Sequence, residues 1–356
     1  MSDELKIRVH GEASLPALVY LPGMHGDWTL VSSFRAAVAG QVRFVEFAYP
    51  RTTTWSLDDY ARAVEERLLA NGIQRGWLLG ESFGSQPAWQ LIGRFLNRQV
   101  PGNAIIAGTQ PYPQGRKPFD TPGARSLSVN PKVGQASRLS ASAGFQPALA
   151  GGTPALRWAQ SGSWSHGATE KPMEGMDKPK VGPSIHDPEV CSGFCPLGLI
   201  LAGGFVRHPV NWAVRMAGRV SGAIPLGWVK RFCVAYARYA QFRHRRAPET
   251  LASIAEFVAN RTVEADRRAI VHRYRIIAEN DLRPVARQTA LPVYYLAGLV
   301  DPLVPWCFVR WWLRRHCPGY RGGTMIWRAD HNVLGTAPKA SRDLILHWLT
   351  CYDKST

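Results

Sequence analysis

Residues 76–91 read "GWLLGESFGSQPAWQL": an apolar run of strand length stops at Gly80-Glu81-Ser82-Phe83-Gly84 and resumes as a helix. This corner constrains the fold more than any other stretch. The run before it does not alternate with polar residues, so both of its faces must be covered, as in an inner strand of a parallel sheet. A parallel neighbour is reached only by a crossover, usually helical, so the helix that follows belongs to the architecture. Two readings of the corner compete. A tight turn needs glycines, and serine is an ordinary turn residue. Alternatively Ser82 is a nucleophile, because a strand–turn–helix corner lifts the hydroxyl above the sheet and places the next backbone N–H at a helix N-terminus. The partners available elsewhere in the chain decide between them.

The surrounding sequence supports a sheet of this kind. "ALVYLPG" (17–23) and "VRFVEFAYP" (42–50) are further strand-like runs that end in Gly or Pro. Between the strands, "WTLVSSFRAAVAG" and "SLDDYARAVEERLLANG" have helical spacing, the second opening with a serine cap and closing at Asn71-Gly72. The pattern returns in "LGLILAGGF" (197–205), "LPVYYLAGLVDPLVP" (291–305), "TMIWRADHN" and the closing amphipathic "APKASRDLILHWL". Strands alternating with helices predict an α/β fold, a mostly parallel sheet with helices on both faces.

Two segments interrupt the alternation. Residues 101–190 are rich in Pro, Gly, Ser and Ala without sustained period, as in "GQASRLSASAGFQPALAGGTPALRW". A stretch of this length inside a compact domain is expected to be a disordered, acquired insertion, and its Ser and His residues are set aside as catalytic candidates. In composition it resembles the translated interspersed repeats of some bacterial genes. Residues 207–288 form the second interruption and carry helical patterns. The stretch from Arg207 to Arg246 holds nine Lys or Arg and no Asp or Glu. A helical excursion between two sheet strands is placed to cap a site at the strand ends. The expected order is therefore core (1–100), insertion (101–190), core strand (191–206), helical cap (207–288) and core again (289–356).

A serine hydroxyl needs a base to take its proton, and a histidine base needs a carboxylate to hold its tautomer. On a nucleophile elbow those partners follow in the order acid, then histidine. Asp301 stands in the turn after a strand, with Pro302 and Pro305 fixing the loop, and His331 stands after the last strand. Asp301 also suits a simple turn-capping role. Asp330, adjacent to His331, suits a solvated or helix-capping role better than that of the acid. A tetrahedral oxyanion would need two N–H donors. Phe83 follows the serine, and Met24 lies in "LPGMHGDW", where Gly23 and Gly26 let the backbone turn towards a ligand. His25 is the runner-up donor. Preceding the serine, it breaks the triad order and is placed with Glu81 as a pocket residue.

At these residues the chain resembles the α/β-hydrolase superfamily, and in particular small bacterial serine hydrolases. The likeness rests on Leu21-Pro22-Gly23-Met24-His25-Gly26, on Gly80-Glu81-Ser82-Phe83-Gly84, and on Phe205-Val206-Arg207-His208-Pro209. It covers residues 10–100 and 195–350 and departs at His25 and at Gly84-Ser85. The resemblance implies Ser82 as nucleophile, Asp301 as acid and His331 as base, with an ester or thioester substrate and no metal or organic cofactor.

The formal charge of +17 points to an anionic partner. It supports a rival reading, a non-catalytic or acyltransferase member of the same fold that holds anionic lipid or nucleic acid through its basic cap. Base-reading motifs are absent, so nucleic acid is not expected, whereas weak contact with an anionic membrane surface is. The opening "MSDELKIRVHGEASL" has acidic residues where a signal peptide has a basic head, and Cys191-x3-Cys195 lacks a second pair at zinc-site spacing. A cytoplasmic protein, with a peripheral place at the inner membrane surface left open, is the expectation.

Overall fold

The computed structural model describes residues 4–99, 193–225, scattered positions of 227–256, and 264–353 without 328. The chain divides into Met1–Tyr112 with Pro188–Thr356, and Pro113–Asp187. The second unit, with the stretch expected to be an insertion, lies outside the described residues.

Seven strands form one sheet: β1 (Lys6–His10), β2 (Ala17–Leu21), β3 (Arg43–Ala48), β4 (Arg75–Glu81), β5 (Cys195–Ala202), β6 (Val293–Gly298) and β7 (Tyr320–Ile326). Their order is β1-β3-β2-β4-β5-β6-β7; β1 runs antiparallel to β3 and every other pairing is parallel. The strand carrying the Gly-x-Ser-x-Gly corner is therefore central. Leu18 and Tyr20 pack into one core with Trp77 and Leu79, and Val19 and Leu21 into the other with Leu78. This period of two means that each inner strand supplies both faces.

Helices cover the two faces unequally. One core takes α1 (Ser32–Val38) and the C-terminal α9 (Pro338–Asp353), through Phe34, Val38, Ile345 and Leu349. The other takes α2 (Leu57–Ala70), α3 (Ser85–Gln99), α6 (Arg283–Gln288) and α7 (Trp306–His316). Trp89 of α3 is fully buried there, and its truncation to Ala would cost about 3–5 kcal/mol. Helix α2 starts on a capping box: Asp59 N donates to Ser56 Oγ at 3.2 Å and Ser56 N to Asp59 Oδ2 at 2.9 Å. A short α8 (Val333–Thr336) precedes α9.

Between β5 and β6 the chain leaves the sheet for α4 (Asn211–Ala223) and α5 (Glu264–Glu279), which pack on one another where Gly218 meets Tyr274. These are the described parts of the expected cap.

Three expectations change. Strand β1 has no counterpart in the sequence reading. The strand expected over 291–305 ends at Gly298, because Pro302 and Pro305 close the loop and α7 begins at Trp306. The last strand starts earlier than "TMIW" and ends at Ile326, so His331 stands in a loop.

Candidate active site

Strand β4 stops at Glu81, and Ser82 takes φ +49°, the one positive φ among described non-glycine residues. Left-handed backbone at a residue with a Cβ costs about 1–2 kcal/mol. The surroundings hold it there. A Cβ on Gly84 would fall 2.0 Å from the Leu21 carbonyl oxygen, so only glycine lets the turn lie against β2. Ser85 Oγ donates to the Ser82 carbonyl at 2.6 Å and accepts from Phe205 N at 3.1 Å, tying the corner to the chain after β5.

The hydroxyl of Ser82 lies 2.8 Å from His331 Nε2, and His331 Nδ1 lies 2.8 Å from Asp301 Oδ2. With Nδ1 protonated and donating to the carboxylate, Nε2 is left to accept from the serine. Asp301 also serves its own turn, since its Oδ1 accepts from Leu303 N at 2.8 Å and Val304 N at 3.0 Å. One oxygen thus closes the turn and the other faces His331. Asp330 instead accepts from Asn332 N at 3.0 Å, just before α8. Burial opposes the charging of His331. The Asp301 hydrogen bond and charge, helped by Glu81 and Asp330, outweigh burial and raise its pKa.

The loop after β2 runs beside the serine. A Cβ placed on Gly23 would lie 3.3 Å from Ser82 Cβ and 3.3 Å from His25 Nδ1. The chain then turns back, with Gly26 N donating to Gly23 O at 2.9 Å and the half-buried Met24 inside that turn. On the other side Phe83 is fully buried, its ring edge-on to Tyr49 and Tyr60.

One residue important to this geometry escaped the sequence reading. Arg273 of α5 reaches from the cap into the loop, its guanidinium donating to Met24 O at 2.8 Å and Pro50 O at 3.3 Å. The same group stands 5.6 Å over the Tyr49 ring. Gly26, at φ +80°, leaves the space it fills, since a Cβ there would meet the guanidinium at 2.3 Å. Its neighbour His272 donates to Trp55 O at 2.8 Å, and burial pushes its pKa down to about 4. In sequence Arg273 is one of several arginines on a mixed-charge helix, with no local signal of burial.

Glu81, immediately before the serine, is 2% exposed and accepts from the Tyr20 hydroxyl. His25 Nε2 lies 4.0 Å from the same carboxylate. Burial drives the Glu81 pKa up to about 7, with the Tyr20 hydrogen bond and His331 opposing and Asp330 adding. His25 and Glu81, both expected to line a pocket, are thus buried next to one another.

No family model matches the chain, and the curated proteins give no match by sequence. Solved structures do resemble it. A thermophilic esterase from Thermogutta terrifontis, solved with malate bound, has a TM-score of 0.57 at 13% identity, over 98% of this chain and 93% of its own. A hydrolase from Pseudomonas aeruginosa PA01 gives 0.57 at 12%, over 97% and 94%. The enol-lactonase from Burkholderia xenovorans LB400 gives 0.57 at 14%, over 97% and 96%. Likeness at such low identity is likeness of architecture. The chain has the α/β-hydrolase fold.

Proposed function

We propose that this chain is a serine hydrolase that cleaves a carboxylic ester or thioester through an acyl-enzyme. One observation carries the reading: the His331 imidazole bridges the Ser82 hydroxyl and the Asp301 carboxylate at 2.8 Å on each side. Ser82 Oγ attacks the substrate carbonyl carbon as its proton passes to His331 Nε2. Asp301 holds the imidazole in the Nδ1–H tautomer and stabilises the imidazolium. The oxyanion takes hydrogen bonds from the N–H groups of Phe83 and Met24. Collapse breaks the bond to the alcohol or thiol, which leaves with the proton from His331. Water then gives His331 a proton, attacks the acyl carbon and frees Ser82. Neighbours described as an esterase and an enol-lactonase support hydrolysis of such a bond. The test is labelling by a fluorophosphonate: the parent should label and Ser82→Ala should not, and equal labelling of both would place the chemistry elsewhere.

The outer face of α4 favours a second element. Trp212, Met216 and Val220 recur every four residues, Trp212 is 71% exposed, and Arg215 and Arg219 lie exposed between them. Apolar groups interleaved with arginines suit weak contact with an anionic lipid surface, worth about 1 kcal/mol per basic residue close to it. No helix among the described residues is long and apolar enough to cross a membrane. Co-sedimentation with anionic but not neutral vesicles, lost at high salt, is the expected result; equal binding to both would remove this element and leave the hydrolase.

A further inference from the structure

The cap is joined to the core by two crossings of the chain, one after β5 (residues 205–210) and one before α6 (residues 280–282). Between these crossings and α7 lies a half-open cavity of about 290 Å³. Arg207, His208, Arg283, Phe308, Trp311 and Trp312 are among its lining residues. Ser82, His331 and Asp301 are not among them, and His208 is its link to the Asp301 turn, through Leu303 O at 3.3 Å.

Two features of its walls are unusual together. Phe308, Trp311 and Trp312, at i, i+3 and i+4 on one helix, share a face, and Phe308 and Trp311 are 61% and 60% exposed. Large rings left in water beside a cavity mark a surface that something covers. Beside them two guanidiniums converge on one carboxylate: Arg207 donates to Asp281 Oδ2 at 3.2 Å, and Arg283 Nε to Asp281 Oδ1 at 2.8 Å. One acid between two arginines leaves a net positive charge. His208 takes no part in that balance as a cation. Its Nε2 donates to Leu303 O at 3.3 Å and its Nδ1 accepts from Val210 N at 3.2 Å, which fixes it neutral and offers only its ring. Arg287, 6.0 Å over the Trp312 ring, adds a further cation at the aromatic edge.

We propose that this cavity is a binding site for a planar organic carboxylate. The ring stacks on the Phe308–Trp311–Trp312 surface, and the carboxylate takes donors from Arg207 and Arg283 in the manner that Asp281 already does. Guanidinium groups match a carboxylate with parallel N–H bonds, and aromatic faces hold a flat apolar group at small entropic cost. Neither half suffices alone. An inorganic anion would lack the stacking, and a neutral aromatic would leave the charge uncompensated.

The test is calorimetric titration of the full chain with 2-naphthoate, 2-naphthalenemethanol and acetate. None of these has a scissile ester, so the outcome is independent of the serine chemistry. Saturable binding of naphthoate is expected, with the alcohol and acetate about tenfold weaker or undetectable. Trp311→Ala and Arg207→Gln should each weaken naphthoate by about fivefold or more. Arg207→Gln also loosens the tie to Asp281, so the exposed Trp311 gives the deciding variant if the former does not fold. No binding to the parent, equal affinity for the alcohol, or unchanged affinity in Trp311→Ala would overturn the proposal.

Discussion

Arg273 donates to the carbonyl oxygen of Met24 at 2.8 Å, so α5 ties down the loop beside Ser82 from 249 residues away in sequence. A donor aimed at a developing oxyanion is useful only if its backbone cannot drift. Arg273→Ala should therefore lower kcat for p-nitrophenyl acetate by roughly ten- to a hundredfold with a smaller change in KM, set against the ~10²–10³ for deleting a donor outright. Steady-state kinetics with a thermal melt as fold control would check this. A parental kcat in a folded variant would remove Met24 from the oxyanion site.

The strain at Ser82 gives a prediction that separates chemistry from folding. Ser82→Ala and Ser82→Gly should both abolish ester hydrolysis. Glycine alone relieves the left-handed backbone at φ +49°, so Ser82→Gly should be more stable than Ser82→Ala by about 1 kcal/mol. Urea unfolding of the two variants compares them directly, and equal midpoints would mean that the corner is unstrained.

The pH profile follows from the raised pKa of His331. A general base works only when neutral, so kcat/KM should rise with pH through a midpoint above 6.5, the ordinary histidine value. Asp301→Asn removes the main group that raises it. Activity should fall on the order of a thousandfold or more, and the midpoint should move down. A midpoint unmoved by that substitution would count against His331 as the titrating base.

Glu81 predicts a stability change of defined sign. Its folded pKa of about 7 exceeds the ordinary 4.5 because of burial, so the native state holds a proton that the unfolded chain releases earlier. The stability associated with that proton is complete below about 4.5 and is lost as pH rises through about 7. Glu81→Gln keeps an acceptor for the Tyr20 hydroxyl and removes the titration. Its stability relative to the parent should improve between pH 5 and pH 8, by up to about 3 kcal/mol. The same difference at both pH values would show that Glu81 is not the titrating group.

What the sequence revealed followed from local signals. The inner strands could be found because burial on both faces writes an uninterrupted apolar run, and α2 because a serine opens it and Asn71-Gly72 closes it. The corner at Ser82 and the loop of Asp301 carry their own punctuation in Gly and Pro, so each could be placed before any contact was known. Strand β1 was missed because Lys6, Arg8 and His10 make an edge strand look like polar coil. Helix α7 was hidden because Trp, Phe and Val favour strands as much as helices. Arg273 could not be found at all, since its value depends on Met24, Pro50 and Gly26, none of them near it in sequence.

The junction of α3 and β5 has a consequence for how this chain can change. Glu65 Oε1 accepts from Phe194 N at 3.2 Å and pairs with Arg98 at 2.7 Å, and Arg98 donates back to Phe194 O at 2.9 Å. The two ends, Gln99 and Gly193, are thus stitched together at the pole of the sheet opposite Ser82. Closing a loop between clasped ends costs only about 0.6 kcal/mol more for each doubling of its length. Chain can therefore be gained or lost at this junction at little thermodynamic expense, and the change enters at the end of the sheet remote from the nucleophile. Selection on length there and selection at the Ser82 pole can proceed almost independently.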